Sequence, residues 1–269
     1  MVNKKNRSKL DKLLFYRFHS QGFDARKQGD FSTAILFYAK ALEFNPTHFK
    51  ALFNRGFAFD KMNDYISAIN DYSKAIKLDP KNAFAYYNRG ISYDKQCNFE
   101  DAITNFATAI SLDSTKADFY HNRGFTFRKL NQFENAISDY SNAIKLDEKH
   151  FKAYYNRAYC YEKVDEYLKA EEDYKTCLMM QVDNVNVLYH LGYLYEKNGK
   201  NDFALECFNK VIQIEENYAP AYNARGLIFD KKKEYDLAIQ EFNVAVEIDK
   251  NNAVFLHNRA CCYRNMGKY

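Results

Sequence analysis

One interval governs this sequence. Small residues recur as Gly22, Gly56, Gly90, Gly124, Ala158, Gly192, Gly226 and Ala260, each 34 positions after the last. A second column runs Ala34, Ala68, Ala102, Ala136, Ala170, Ala204 and Ala238, and a third runs Tyr38, Tyr72, Phe106, Tyr140, Tyr174, Phe208 and Phe242, with no insertion between them. A fixed period of a few tens of residues means one supersecondary unit copied along the chain, each unit too small to bury its own apolar face. The units are 15–48, 49–82, 83–116, 117–150, 151–184, 185–218 and 219–252, with a partial eighth at 253–269 and a basic N-terminal tail at 1–14.

Within a unit numbered 1 to 34, apolar or small residues occupy positions 4, 8 and 11, then 20, 24, 27 and 28. Both sets step by four and three, the spacing of one helix face. In the second unit they are Leu52, Gly56 and Phe59, then Ala68, Tyr72, Ala75 and Ile76, with the polar turn Asn63-Asp64 between them and Asp79-Pro80 after them. Each unit is therefore expected to be two short antiparallel helices, and the fold all-α. Composition agrees, because 9 Gly and 3 Pro are too few turn formers for a sandwich or barrel. The small residue at position 8 lets two helix backbones approach, while rings at positions 4, 11 and 24 fill the space around the contact. Burying one such ring contributes roughly 1.5–3 kcal/mol, too little in one unit to offset its chain entropy, so the units must stack.

The pattern resembles the tetratricopeptide repeat (TPR) family, whose unit also has bulky, small, aromatic, Ala, aromatic, Ala and Pro at matching places. The departures are small: Tyr, Phe or Leu replaces Trp at position 4, Ala158 and Ala260 replace Gly, and Cys177 and Val211 replace Ala at position 27. The sixth unit is the least regular, with Asn201 where an aromatic is usual and Phe203 two places on. The resemblance implies an α-solenoid, a right-handed superhelix of stacked antiparallel helix pairs whose first helices line a concave groove for partner peptides.

Nothing in the sequence points to catalysis, and no cofactor or metal is expected. His19, His121 and His257 share position 5 and His48 and His150 share position 34, so none has zinc-protease spacing, and there is no phosphate loop or nucleophile elbow. The six cysteines form no C-x-x-C pair and read as small buried residues. The net charge of +4 is carried by residues 1–14, with Lys4, Lys5, Arg7, Lys9 and Lys12 against Asp11, which leaves no nucleic-acid footprint on the body. No apolar run is long enough to span a membrane, and MVNKKNRSKLDKLL lacks a secretory core, so an intracellular, cytoplasmic place is expected.

The resemblance also directs attention to the groove. In the chaperone-adaptor branch, a clamp for acidic C-terminal tails uses cations and amides at positions 2, 5, 6 and 9 of successive repeats. Here Lys50 and Lys152 hold position 2, but positions 5 and 9 are mostly aromatic and no repeat has Arg at position 6, so chaperone tails are not expected to bind. An asparagine column replaces the clamp: Asn54, Asn88, Asn122 and Asn156, broken by His190 and Ala224 and resumed at Asn258. A side-chain amide donates and accepts at once, matching an extended backbone; a similar column lines the repeats of the O-linked sugar transferases. Beside the amides stand Phe57, Ile91, Phe125 and Tyr159. The expected ligand is an extended protein segment with apolar side chains and little net charge. Lysines at position 13 beside acids at position 12 read as a solubilising row, with Lys95→Ala expected to cost under about 0.5 kcal/mol. The expected role is a non-catalytic scaffold or adaptor. The alternatives are the substrate-recruiting or regulatory arm of a larger enzyme, with which a chain ending at Tyr269 in mid-repeat agrees, and a structural subunit of a large ciliary or organellar assembly.

Overall fold

The computed structural model describes residues 4–267, and among them every regular element is an α-helix. The chain forms two compact units, Met1–Glu148 and Lys149–Tyr269. The first holds α1 (Lys4–Lys27) and α2 (Phe31–Phe44), α3 (Phe49–Lys61) and α4 (Tyr65–Leu78), α5 (Ala83–Lys95) and α6 (Phe99–Leu112), and α7 (Ala117–Lys129) and α8 (Phe133–Leu146). The second holds α9 (Phe151–Lys163) and α10 (Tyr167–Met180), α11 (Val185–Lys197) and α12 (Asn201–Ile214), α13 (Ala219–Lys231) and α14 (Tyr235–Ile248), and the single helix α15 (Ala253–Asn265). The basic segment expected as a tail is helical from Lys4, where it extends the first helix of repeat 1. Residues 1–3 of that segment and 268–269 of the eighth repeat lie outside the described residues.

The punctuation is as periodic as the core. Position 15 lies in the left-handed region of backbone space throughout, at Gly29, Asn63, Cys97, Asn131, Asp165, Gly199, Lys233 and Gly267, with φ between 57° and 79°. That conformation ends the first helix and turns the chain, and it suits Gly or Asn better than Cys or Lys. One residue later Asp30 and Asp64 accept the backbone N–H groups of Thr33 and Ser67, starting the second helix. At position 34, His48, Asn82, His150, Asn184 and Asn252 cap the next first helix in the same way, the two histidines accepting through Nδ1. Such caps contribute about 1 kcal/mol each.

Packing follows the small and aromatic columns. The position-24 rings are at most 1% exposed in all seven repeats. Six of them lie against a position-8 glycine with little room to spare, while the fifth repeat has Ala158 there. A Cβ on Gly90 would fall 2.8 Å from the Phe106 ring, one on Gly192 2.7 Å from Phe208, and one on Gly226 2.7 Å from Phe242. The sixth repeat, irregular in sequence, forms α11 and α12 at full length, and its Leu188, Leu191, Leu194 and Phe208 anchor the core of the second unit. The displaced Phe203 is 55% exposed.

Candidate functional site

The candidate amides and apolar residues stand three residues apart, on one face of each first helix. Asn54 and Phe57 lie on α3, Asn88 and Ile91 on α5, and Asn122 and Phe125 on α7, all half-buried in the first unit; Asn156 and Tyr159 lie on α9 in the second. The structure brings three of them together: Ile91, Asn122 and Phe125 line a pocket of about 180 Å³ with Asp94, Lys95 and Phe106. The amides themselves differ. The Nδ2 group of Asn88 donates to its own helix at the Phe84 carbonyl, 2.7 Å away, and that of Asn122 donates to the Tyr87 hydroxyl of the preceding repeat. Burial pushes the Tyr87 phenol up to about 12, so it stays protonated. Asn156 is only 8% exposed and has little amide surface to present.

The apolar residues are not a neutral surface. Lys61 sits 5.2 Å from the Phe57 ring centroid and Arg26 5.3 Å from it. Arg128 and Lys129 lie 4.7 and 4.9 Å from Phe125, and Lys163 lies 5.0 Å from Tyr159. One helical turn separates positions 9 and 13, which places each lysine over its own ring.

Three lysines of the row tie one repeat to the next. Lys95 bonds Asp60 of the preceding repeat at 3.0 Å, Lys129 bonds Asp94 at 2.6 Å, and Lys231 bonds Glu196. In two of these pairs a position-10 hydroxyl completes the latch, Ser92 donating to Asp60 and Thr126 to Asp94. For these three the solubilising reading fails, since each lysine is tied to a neighbouring repeat; the position-12 acids themselves range from half-buried to nearly buried, with Asp60 7% and Glu162 3% exposed. Glu162 breaks the pattern. Position 10 of the next repeat is Leu194, Lys197 reaches Asp165 instead, and the Oε2 atom has no hydrogen-bond partner, so burial raises the carboxyl pKa above the usual range.

A second periodic pairing went unread in the sequence. Arginine at position 7 meets an acid at position 23 of its own repeat: Arg55 with Asp71 at 2.6 Å, Arg123 with Asp139 at 2.7 Å, Arg157 with Asp173 at 2.8 Å and Arg225 with Glu241 at 2.6 Å. Arg89 takes Asn105 instead. The carboxylates of Asp71, Asp139 and Asp173 are almost wholly buried, so each two-pronged pair ties the two helices of its repeat. The available signal was a cation column at period 34 followed by an acid column 16 residues later.

Four of the cysteines are buried, while Cys97 is exposed in a left-handed turn and Cys261 half-buried, which corrects the expectation that all six are interior. Burial pushes the Cys177 thiol up to about 12 and the Cys207 thiol up to about 11, away from nucleophilic use. Among the described residues no cluster of His, Cys, Asp and Glu is placed to hold a metal ion, and no helix is long and apolar enough to cross a membrane.

Comparison with known proteins agrees with this geometry. Sequence profiles described as TPR repeat match residues 60–96 and 124–165, and profiles described as tetratricopeptide repeat match 37–70, 83–116, 151–183, 185–218 and 219–252. No curated protein matches the sequence significantly. Solved structures do. MamA is 28% identical, with a TM-score of 0.58 over 61% of this chain and 96% of its own. YrrB, a TPR protein described as having an unusual peptide-binding site, is 23% identical with a TM-score of 0.62 over 70% of this chain and 97% of its own. The C-terminal part of a TPR repeat-containing protein from Cytophaga hutchinsonii, 16% identical, reaches a TM-score of 0.75 over 90% of this chain and 98% of its own. Seven registered repeats, their Gly-on-ring contacts and these matches together make the chain a member of the tetratricopeptide-repeat family, with that family's α-solenoid fold.

Proposed function

We propose that this chain is a non-catalytic protein-interaction scaffold that takes an extended segment of a partner protein along its first-helix face. In the first unit Asn54, Asn88 and Asn122 would meet the partner's backbone, and Phe57, Ile91 and Phe125 its side chains; in the second unit Tyr159 offers a ring, while Asn156 is too buried to serve. The observation that carries the reading is the pocket in which Ile91, Asn122 and Phe125 meet across two repeats, an apolar hollow with an amide at its rim. An extended strand advances about 3.3 Å per residue and offers alternate side chains to such hollows, while its backbone groups pair with amides. A peptide-binding site is described for YrrB on the same fold; the reading here rests on this chain's own residues.

Asn54 makes no hydrogen bond among the described residues, so its amide is available to a ligand. The variant Asn54→Ala with Asn122→Ala should stay folded by circular dichroism, lose about 1 kcal/mol through the Tyr87 contact, and capture the native partner from source cells at least tenfold less well. Undiminished capture by the folded variant would place binding on the second-helix face.

A further inference from the structure

The latch between repeats lacks its acid at two places, where position 12 is Arg26 or Arg128. Beside Arg128 the neighbouring Lys129 still has Asp94, whereas beside Arg26 neither lysine has a carboxylate among the described residues. In repeats 3, 4 and 7 the position-13 lysine closes on a carboxylate at position 12 of the repeat before. In repeat 1 that position is Arg26, so Lys61 faces a guanidinium where later lysines find an acid. Arg26 lies between two rings, 5.3 Å from the centroids of both Phe23 and Phe57. Lys27 sits 4.8 Å from Phe23 and Lys61 5.2 Å from Phe57. Three cations thus crowd two adjacent rings, and among the described residues none of them has a carboxylate partner. Asp24, two residues before Arg26, is exposed and forms no ion pair with them. The Arg26 Nε–H is shielded from solvent and meets no carboxylate; the group beside the guanidinium is the buried Tyr38 hydroxyl, a neutral partner.

We propose that Arg26, Lys27 and Lys61, with Phe23 and Phe57 beneath them, form a docking point for an acidic stretch of an extended protein segment. An Asp or Glu carboxylate of that stretch takes the place held by position-12 acids in later repeats, and a neighbouring apolar side chain lies on the rings. The proposal rests on the reading that the first-helix face takes an extended partner, and it replaces that partner's expected neutrality with negative charge at this end. Charge complementarity carries the choice of ligand: the same lysine position shows its preferred counter-ion elsewhere in the chain, a carboxylate at 2.6–3.0 Å. The site uses positions 9, 12 and 13, whereas a terminal-carboxylate clamp needs cations at positions 2, 5 and 6.

The test is fluorescence anisotropy with three labelled octapeptides of alternating Glu and Leu, Gln and Leu, and Lys and Leu. The Glu peptide should bind at least tenfold more tightly than the Gln peptide, with a preference that shrinks as salt rises, and the Lys peptide should not bind. Arg26→Glu restores the missing acid to Lys61; it should melt at or above the parent temperature and lose the Glu peptide at least tenfold. Lys61→Gln should weaken the Glu peptide without unfolding. Equal binding of Glu and Gln peptides, no binding of the Glu peptide, or Arg26→Glu binding it as tightly as the parent would each overturn the proposal. The two readings fail separately. Charge-blind binding that Asn54→Ala weakens leaves the groove and removes the acidic docking point. Charge-dependent binding alongside intact capture by the amide variant keeps the docking point and removes the amides.

Discussion

At Gly90 there is no space for a side chain. An added Cβ would lie 2.8 Å from Phe106, a ring that is itself 1% exposed and cannot retreat into solvent. Gly90→Leu should therefore cost about 1–3 kcal/mol or more through overpacking. Lys95→Ala is its informative partner. Removing the ammonium leaves the buried Asp60 with Ser92 alone, so the expected cost rises from under 0.5 to about 1 kcal/mol, tempered by the partial exposure of Lys95. Thermal melts of both variants decide this: a neutral Lys95→Ala would return the lysine row to the solvated role its sequence suggests. The small column was legible because steric need selects residue type at one position. The latch was not, because a lysine beside an acid on one helix looks the same whether it faces water or the next repeat.

Single helices show the same divide. Helix pairs could be placed from apolar spacing alone, since that spacing is set by which face is buried. The Arg–acid pairs could not, because positions 7 and 23 belong to different helices joined by a turn, and their meeting depends on how those helices cross. Glu162 on α9 shows what happens when the inter-repeat latch loses its donor. Burial raises its pKa, so between the ordinary value and the raised one the folded chain holds a proton that the unfolded chain has already released. Stability from this group is complete below the ordinary value near 4.5 and is lost as pH rises through the folded value. Glu162→Gln should therefore stabilise the protein by about 1 kcal/mol at pH 7, with the gain disappearing towards pH 4. Melting temperatures measured across that range test the sign. A variant less stable than the parent at pH 7 would mean that Lys163 and Lys197 outweigh the burial.

At the scale of each unit, helices pack on neighbours in sequence. Within each unit a helix touches the next one or the next but one. Stability in such an array is close to a sum of repeat terms and nearest-neighbour terms, so damage should spread by one repeat at a time. Arg157→Ala leaves Asp173 buried without its partner and should cost about 3–5 kcal/mol. Hydrogen exchange should accelerate in α9 to α12 first, with α1 to α4 least affected; uniform acceleration along the chain would mean a single cooperative core. The latch gives this arrangement a direction, because repeats 2, 3 and 6 each offer an acid forward to a lysine of the next repeat, whereas repeats 1 and 4 carry Arg26 and Arg128 at that position. A copy of residues 83–116 inserted in frame arrives with both Lys95 and Asp94 and can mesh on either side, whereas a single inserted residue parts them. Lengthening such a protein by duplicating that unit is therefore a change that selection can accept without repair, whereas deleting residues 49–82 would set Arg26 before Lys95 in place of Asp60.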